Sequence, residues 1–132
     1  MKEVLDSSFF IVHYTSKDEG VLAKTREKLA KLRREKRGIV PAIVVAETTN
    51  FVCSVGGRVK ALDNIRTLEQ SGLEIASMNL SVARDAGMLK CVHRDIPMAD
   101  CVIAATAIRE KATVVSDDEH FRQIKDLRVS WI

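Results

Sequence analysis

Five carboxylates of this chain stand where carboxylates are costly. Asp6 breaks the strand-like stretch EVLDS, and Glu47 sits inside the apolar run AIVVAETTN. Asp100 opens MADCVIAATAI, and Asp117 and Asp118 follow the apolar stretch TVVS. Each has a plain local explanation. Aspartates cap helix N-termini and suit the positive end of the helix dipole. Asp100 could pair with an Arg or Lys, and Glu47 could sit on a helix rim with its head in water. Yet Ile103, Ala104 and Ala107, three, four and seven positions after Asp100, share its helical face. Ile43, Val44, Asn50 and Phe51 flank Glu47 in the same way. An ionised carboxylate on an apolar face is costly unless it is paired or holds a metal. One arrangement accounts for four of the five: Asp6, Glu47, Asp100 and Asp118 surrounding a hard divalent cation. Carboxylate oxygens are the ligands that Mg2+ and Mn2+ prefer, and such ions keep open positions for water and phosphate.

The acids can converge only if the elements that carry them place strand ends side by side. EVL reads as a strand, SFFIVHYT as a short helix, and 16–20 as a loop. A helix is expected over 21–37, with Leu22, Leu29 and Leu32 on one face and Gly38 as its stop. Ile39 and Val40 form a short strand, and Pro41 fits the first helical position of a largely buried helix that runs to Gly56-Gly57. An amphipathic helix follows over 58–70, with Leu62, Ile65 and Leu68 in step. The stretch 73–80 reads as a strand, and Ser81 as the cap of a helix through Leu89. Pro97 opens an almost wholly apolar helix. TVVS is a strand, 120–127 a last helix, and RVSWI an edge or terminal strand. Strands separated by helices of this length pair in parallel, which predicts an α/β three-layer sandwich with a central, mainly parallel sheet. Ligands of such sheets bind beyond the carboxyl ends of the strands, where Asp6, Asp117 and Asp118 fall.

With 132 residues, no repeat and no linker, the chain reads as a single domain over 1–132. Hydrophobic residues are 46% and charged residues 30%, which excludes a disordered chain, and no apolar run can span a bilayer. MKEVLDSS lacks the apolar stretch of a secretory leader, so a cytoplasmic location is expected. Cys53, Cys91 and Cys101 form no C-x-x-C pair, and Cys53 and Cys101 read as small core residues in a reducing compartment. A net charge of +3 permits nucleic-acid binding without requiring it. No Gly-rich phosphate loop supports a nucleotide-binding alternative.

In order and spacing, VLDSSFF, IVVAETTN, MADCVIAATAI and VVSDDEHF resemble the four motifs of the PIN-domain ribonucleases. The likeness covers essentially the whole chain, and the third motif is the most specific. With Phe121 as anchor, Asp118 is the matching acid, Ser116 stands where the family usually has Thr, and Asp117 falls at a variable position. Asp117 is then a helix-start residue or an outer helper. Pro41 replaces the Ser or Thr that many members carry before the Glu helix.

The resemblance implies a Mg2+- or Mn2+-dependent endoribonuclease that leaves a 5′-phosphate and a 3′-hydroxyl. At this length it is most similar to the VapC-type toxins of toxin–antitoxin pairs, with an RNA substrate, a cognate antitoxin and a homodimer that buries apolar residues of the early helices. A nuclease that processes ribosomal or transfer RNA, or a non-catalytic RNA- or protein-binding module, is the alternative. Asp6, Asp100 and Asp118 would hold the metal. Glu47 would be a ligand or would orient the attacking water, and Ser8 would hold Asp6. For RNA contacts the candidates are Arg33 and Arg34 on the basic helix, and Arg58 and Lys60 after the glycine pair. The basic helix reads first as a solvated face, balanced by Glu27 and Glu35. Phe9, Phe10 and Phe51 read as core, and His13 and His93 as fillers. His120 lies beside the acidic turn, within reach of a substrate.

Overall fold

The computed structural model describes residues 1–132. Five short strands, β1 (Glu3–Leu5), β2 (Gly38–Pro41), β3 (Glu74–Ala76), β4 (Thr113–Val115) and β5 (Arg128–Ser130), form one sheet in the order β3-β2-β1-β4-β5. All four pairings are parallel. Six helices flank the sheet: α1 (Ser7–Thr15), α2 (Glu19–Glu35), α3 (Ala42–Gly56), α4 (Arg58–Glu69), α5 (Leu80–Val92) and α6 (Met98–Glu110). The expected α/β sandwich is therefore present, with a sheet that is wholly parallel.

The chain builds outward from β1 in one direction through β2 and β3, then returns to place β4 and β5 on β1's other side. The order reverses between β1 and β4. That reversal opens a crevice beyond their carboxyl ends, because the connections leaving the two strands diverge. Leu5 lies opposite Val115, so Asp6 and Ser116 emerge level with each other. The Asp6 backbone N–H donates to Val115 O at 3.2 Å and extends the ladder by one step.

Val4, Leu5, Ile39, Val40, Val114 and Val115 are all at most 1% exposed, as strands covered on both faces must be. The helix α6 packs on β1 and β4, and every residue from Asp100 to Thr106 is buried along with Ala107. Its small alanines let the helix approach the sheet closely. Phe9, Phe10, Phe121 and Ile124 belong to the same core.

Several boundaries differ from the sequence expectation for local reasons. The helix α2 starts at Asp18, whose carboxylate accepts from the Gly20 and Val21 N–H groups, and it stops at Lys36 in the left-handed region (φ 54°). Gly38 is thus not its stop but the first residue of β2. Pro41 is not the first helical residue either: it ends β2 in extended conformation (ψ 145°). β3 is only three residues long, because Asn79 caps α5 by accepting from Val82 N–H at 2.9 Å, so Ser81 falls inside the first turn. The expected last helix is a single short 3-10 helix, Glu119–Gln123.

The middle of the chain is more exposed than its apolar sequence suggested. In α3 only Val44 and Thr48 are buried, and in α4 the inward face is Ala61, Asn64 and Leu68, with Leu62 51% exposed. The two helices pack mainly on each other, so each keeps an open face. Cys53 and Cys91 are exposed and Phe51 is half-buried; only Cys101 among the cysteines is a core residue.

Candidate active site

Asp6 stands at the N-cap position of α1, but its side chain makes no capping bond. Its carboxylate is 3% exposed and is gripped by hydroxyls instead. Ser116 Oγ donates to Asp6 Oδ2 at 2.7 Å, and Ser8 Oγ donates to the same oxygen at 3.0 Å. The two hydroxyls lie 3.2 Å apart, and Ser7 Oγ reaches Asp6 Oδ1 at 3.4 Å. Ser116 also accepts the Asp118 backbone N–H at 3.0 Å. One fully buried hydroxyl therefore fixes the side chain of one acid and the backbone of another, across the β1–β4 switch point.

Asp118, not Asp117, is the helix-start residue: its Oδ1 accepts the His120 N–H at 2.9 Å and caps the 3-10 helix. Asp117 is exposed and faces a separate depression that also holds Lys24 and Trp131. The alternation of the extended chain after β4 explains the division, since neighbouring side chains point to opposite sides.

Asp100 enters the crevice from the first turn of α6. It pairs with neither Arg nor Lys; its one positively chargeable neighbour is His120, whose Nδ1 lies 3.3 Å from Asp100 Oδ2. Burial pushes the Asp100 carboxyl up to about 7, and the charges of Asp118, Asp6 and Glu47 add to the rise against the opposing His120. Glu47 reaches in from α3. Burial also raises its carboxyl, with Asp6 adding to the rise and the Ser7 hydroxyl opposing it. Glu47 Oε1 is sealed from solvent and has no hydrogen-bond partner. The side chains of Asp6, Glu47, Asp100 and Asp118, carried by four separate elements, thus act on one another electrostatically.

His120 is the residue that sequence reasoning valued too little. Its Nδ1 lies 2.9 Å from Asp118 Oδ1, and the donor atoms of Asp100, Asp118 and His120 fall within 4.8 Å of one another. Burial lowers the imidazole pKa, but Asp118 and Asp100 outweigh that and hold it above its ordinary value. The signal available in the sequence was its place two residues after Asp118, where a tight turn brings it back over the acid.

The arrangement suits a hard divalent cation. Uncompensated acids repel one another, and a sealed carboxylate oxygen without a partner lacks a positive charge or a donor. A cation supplies both needs, and the donor set is dominated by oxygen.

Of the candidate RNA contacts, Arg33 and Arg34 lie in the last turn of α2. That turn leads into the start of β2, and Arg37 O accepts the Glu3 N–H at 2.8 Å. The pair therefore sits by the amino ends of the strands, at the opposite edge from the acids, and the structure does not bring it to the site. Arg58 and Lys60 open α4 and are exposed; Arg58 lines the apolar groove between α3 and α4.

The buried Ser116 hydroxyl makes a sharp prediction. Ser116→Ala should lower any activity of this site by about ten- to a hundredfold, as loss of the groups that orient metal ligands does. It should also cost roughly 1–3 kcal/mol of stability by orphaning buried polar atoms. Ser116→Thr, which keeps the hydroxyl, should stay near wild type. Steady-state rates and urea melts of the two variants check this, and an Ala variant as fast as Thr would remove the positioning role.

Comparison with known proteins is consistent with this fold. The PIN domain family matches residues 4–127. Among solved structures, the DNA-bound VapBC of Salmonella typhimurium superposes with a TM-score of 0.81 at 20% identity, covering 99% of this chain and 98% of that one. VapC20 of Mycobacterium tuberculosis, described as a sarcin-ricin loop cleaving toxin, gives a TM-score of 0.67 at 13% identity over 92% of this chain and 94% of its own. One curated relative, the imidazole glycerol phosphate synthase subunit HisF of Methanococcus maripaludis, is 29% identical over 90 residues. The match takes in 67% of this chain but spans only about a third (33%) of that relative's length.

Proposed function

The chain belongs to the PIN-domain family, and from that premise we propose that it is a Mg2+- or Mn2+-dependent endoribonuclease, the toxin of a toxin–antitoxin pair. The observation that carries the reading is the meeting of Asp6, Glu47, Asp100 and Asp118 at the β1–β4 switch point, with the Asp100 carboxyl raised to about 7 first by burial and then by neighbouring acids that no Lys or Arg balances. The toxin assignment draws on the likeness of the fold to the solved VapBC structures.

Asp6, Asp100 and Asp118 would hold the cation, with Glu47 as a further ligand or as the group that orients water. When bound, the cation supplies activation of water and neutralisation of charge on the scissile phosphate. The chain's own residues supply position. Ser8 and Ser116 fix the Asp6 carboxylate, so it spends no freedom on binding. The Asp118 N–H, held by Ser116, fixes the turn that carries Asp118. The unpartnered Oε1 of Glu47 is left for the cation or for orienting a water. Cleavage between the 3′-oxygen and phosphorus leaves the proposed 5′-phosphate and 3′-hydroxyl.

The proposed homodimer and antitoxin contact need apolar surface. α1 and α2 offer little, exposing only Tyr14 among large apolar residues. The exposed aliphatic residues lie elsewhere, Val55, Val59 and Leu62 on α3–α4 and Met88, Val92 and Ile108 on α5–α6. The expectation that the early helices form the dimer contact therefore shifts to these later ones. A monomer by light scattering at micromolar concentration would remove the homodimer from the reading.

The deciding experiment offers purified protein a long structured RNA and a DNA of the same sequence, with Mg2+ or Mn2+ and then with EDTA. RNA cutting that EDTA abolishes is the expected result. Equal cutting of the DNA would remove the RNA assignment, and cutting that survives EDTA would remove the metal.

A further inference from the structure

We infer that His120 is itself a ligand of the bound cation, so that the centre is a mixed nitrogen–oxygen site selecting Mn2+ over Mg2+. The inference deepens the proposed function and rests on the metal site named there, not on RNA cleavage. Three observations carry it. First, His120 Nδ1 lies 2.9 Å from Asp118 Oδ1 and 3.3 Å from Asp100 Oδ2. Adjacent donors of an octahedral ion with bonds of about 2.1 Å are separated by about 3 Å, so Nδ1 stands from each acid oxygen near the spacing of neighbouring donors. Second, Nδ1 is sealed from solvent, so it faces the two acids and not bulk water. Third, the ring is held by backbone, not by chance contact: Asp118 Oδ1 caps the His120 N–H at 2.9 Å, and the next residue, Phe121, is fully buried.

The chemistry then sets the preference. Imidazole binds first-row transition ions, whereas Mg2+ favours oxygen donors and keeps its waters. A nitrogen among three or four carboxylates therefore adds affinity for Mn2+ and little for Mg2+. With carboxylates in the majority the site stays hard enough for Mn2+.

The test is calorimetric titration of metal-free protein with Mn2+ and with Mg2+, for wild type, His120→Ala and His120→Gln, together with pulsed EPR of the Mn2+-loaded protein. Both variants should lose Mn2+ affinity by at least about tenfold, the lower end for damage to a metal's surroundings. Mg2+ affinity should stay within about threefold, because the oxygen donors that Mg2+ prefers remain. Nitrogen hyperfine coupling should be present in wild type and absent from the variants. Melting curves of the metal-free variants show that they fold. Equal loss of both ions, an affinity that holds or rises without His120, or wild-type EPR without nitrogen coupling would each overturn the inference. None of these depends on RNA. Mn2+ bound through nitrogen by a protein that cuts nothing would defeat the nuclease reading alone, and active protein with no nitrogen at the metal would defeat this inference alone.

Discussion

Asp100→Asn is expected to abolish RNA cleavage and, in the same protein, to raise the melting temperature of the metal-free form. The loss of activity should be at least about a thousandfold, or roughly 4 kcal/mol of transition-state stabilisation. The amide keeps the shape of the side chain but cannot supply the negative charge that holds a cation. The gain in stability has a different origin. In the metal-free fold, burial and the charges of Asp118, Asp6 and Glu47 raise the Asp100 carboxyl to about 7. An acid with a raised folded pKa binds more protons in the native state than in the unfolded state. Stability therefore falls as pH rises from about 4, where the unfolded carboxyl ionises, to about 7, where the folded one does. His120, held above its ordinary value, adds a loss of the same sign above about pH 6.5. By neutral pH most of the Asp100 share of this loss is present, and Asn removes it.

The expected pattern is thus a pair of opposed slopes. Without metal, wild type loses stability between pH 4 and 7 while Asp100→Asn stays flatter and melts higher at pH 7. With saturating Mg2+ or Mn2+ the wild type recovers and the variant does not, since only a ligand that binds the native state stabilises it. Urea melts across that pH range, with and without metal, check every part. A variant less stable than wild type at pH 7 without metal would show that Asp100 is compensated by a partner the crevice conceals. Retained cleavage would place the chemistry elsewhere.

Phe121→Ala should give the largest loss of stability among substitutions near the site, about 3–5 kcal/mol for a fully buried aromatic. For a chain of this size that is roughly 10–20 °C in melting temperature. The ring is 0% exposed and follows directly after Asp118, Glu119 and His120 on the short 3-10 helix. A 3-10 turn has weak hydrogen-bond geometry and little intrinsic stability, so burial of this side chain is what holds the turn down. The variant should therefore also lose metal affinity below its melting point, because Asp118 and His120 lose their fixed approach to Asp100. Phe121→Leu, which keeps most of the volume, should lose much less of both. Denaturant melts and Mn2+ titrations of the two variants separate the effects. Full Mn2+ affinity in a folded Phe121→Ala protein would show that the turn is held by Ser116 and the β5 contacts alone.

The amino-acid sequence by itself determined the layered α/β fold and the parallel sheet, and it singled out the acids as candidates. Its apolar runs and turn residues have definite periods, and a carboxylate on the apolar face of α6 is anomalous in any fold. Sequence period could not say which apolar helices stay uncovered. Leu62 and Cys53 look like core residues, yet whether a face is buried depends on whether another element arrives to cover it, and α3 and α4 are covered mainly by each other. Nor could it place Arg33 and Arg34, whose distance from the acids follows from the direction of α2 across the sheet. The tertiary structure alone decided the middle of the site. Ser116 grips Asp6 across 110 positions of sequence, and Nδ1 of His120 settles between Asp100 and Asp118. Those contacts come from the strand order, which sets β4 beside β1, and from one tight turn whose direction the buried Phe121 fixes. Both are properties of packing between distant segments, which local pattern does not encode.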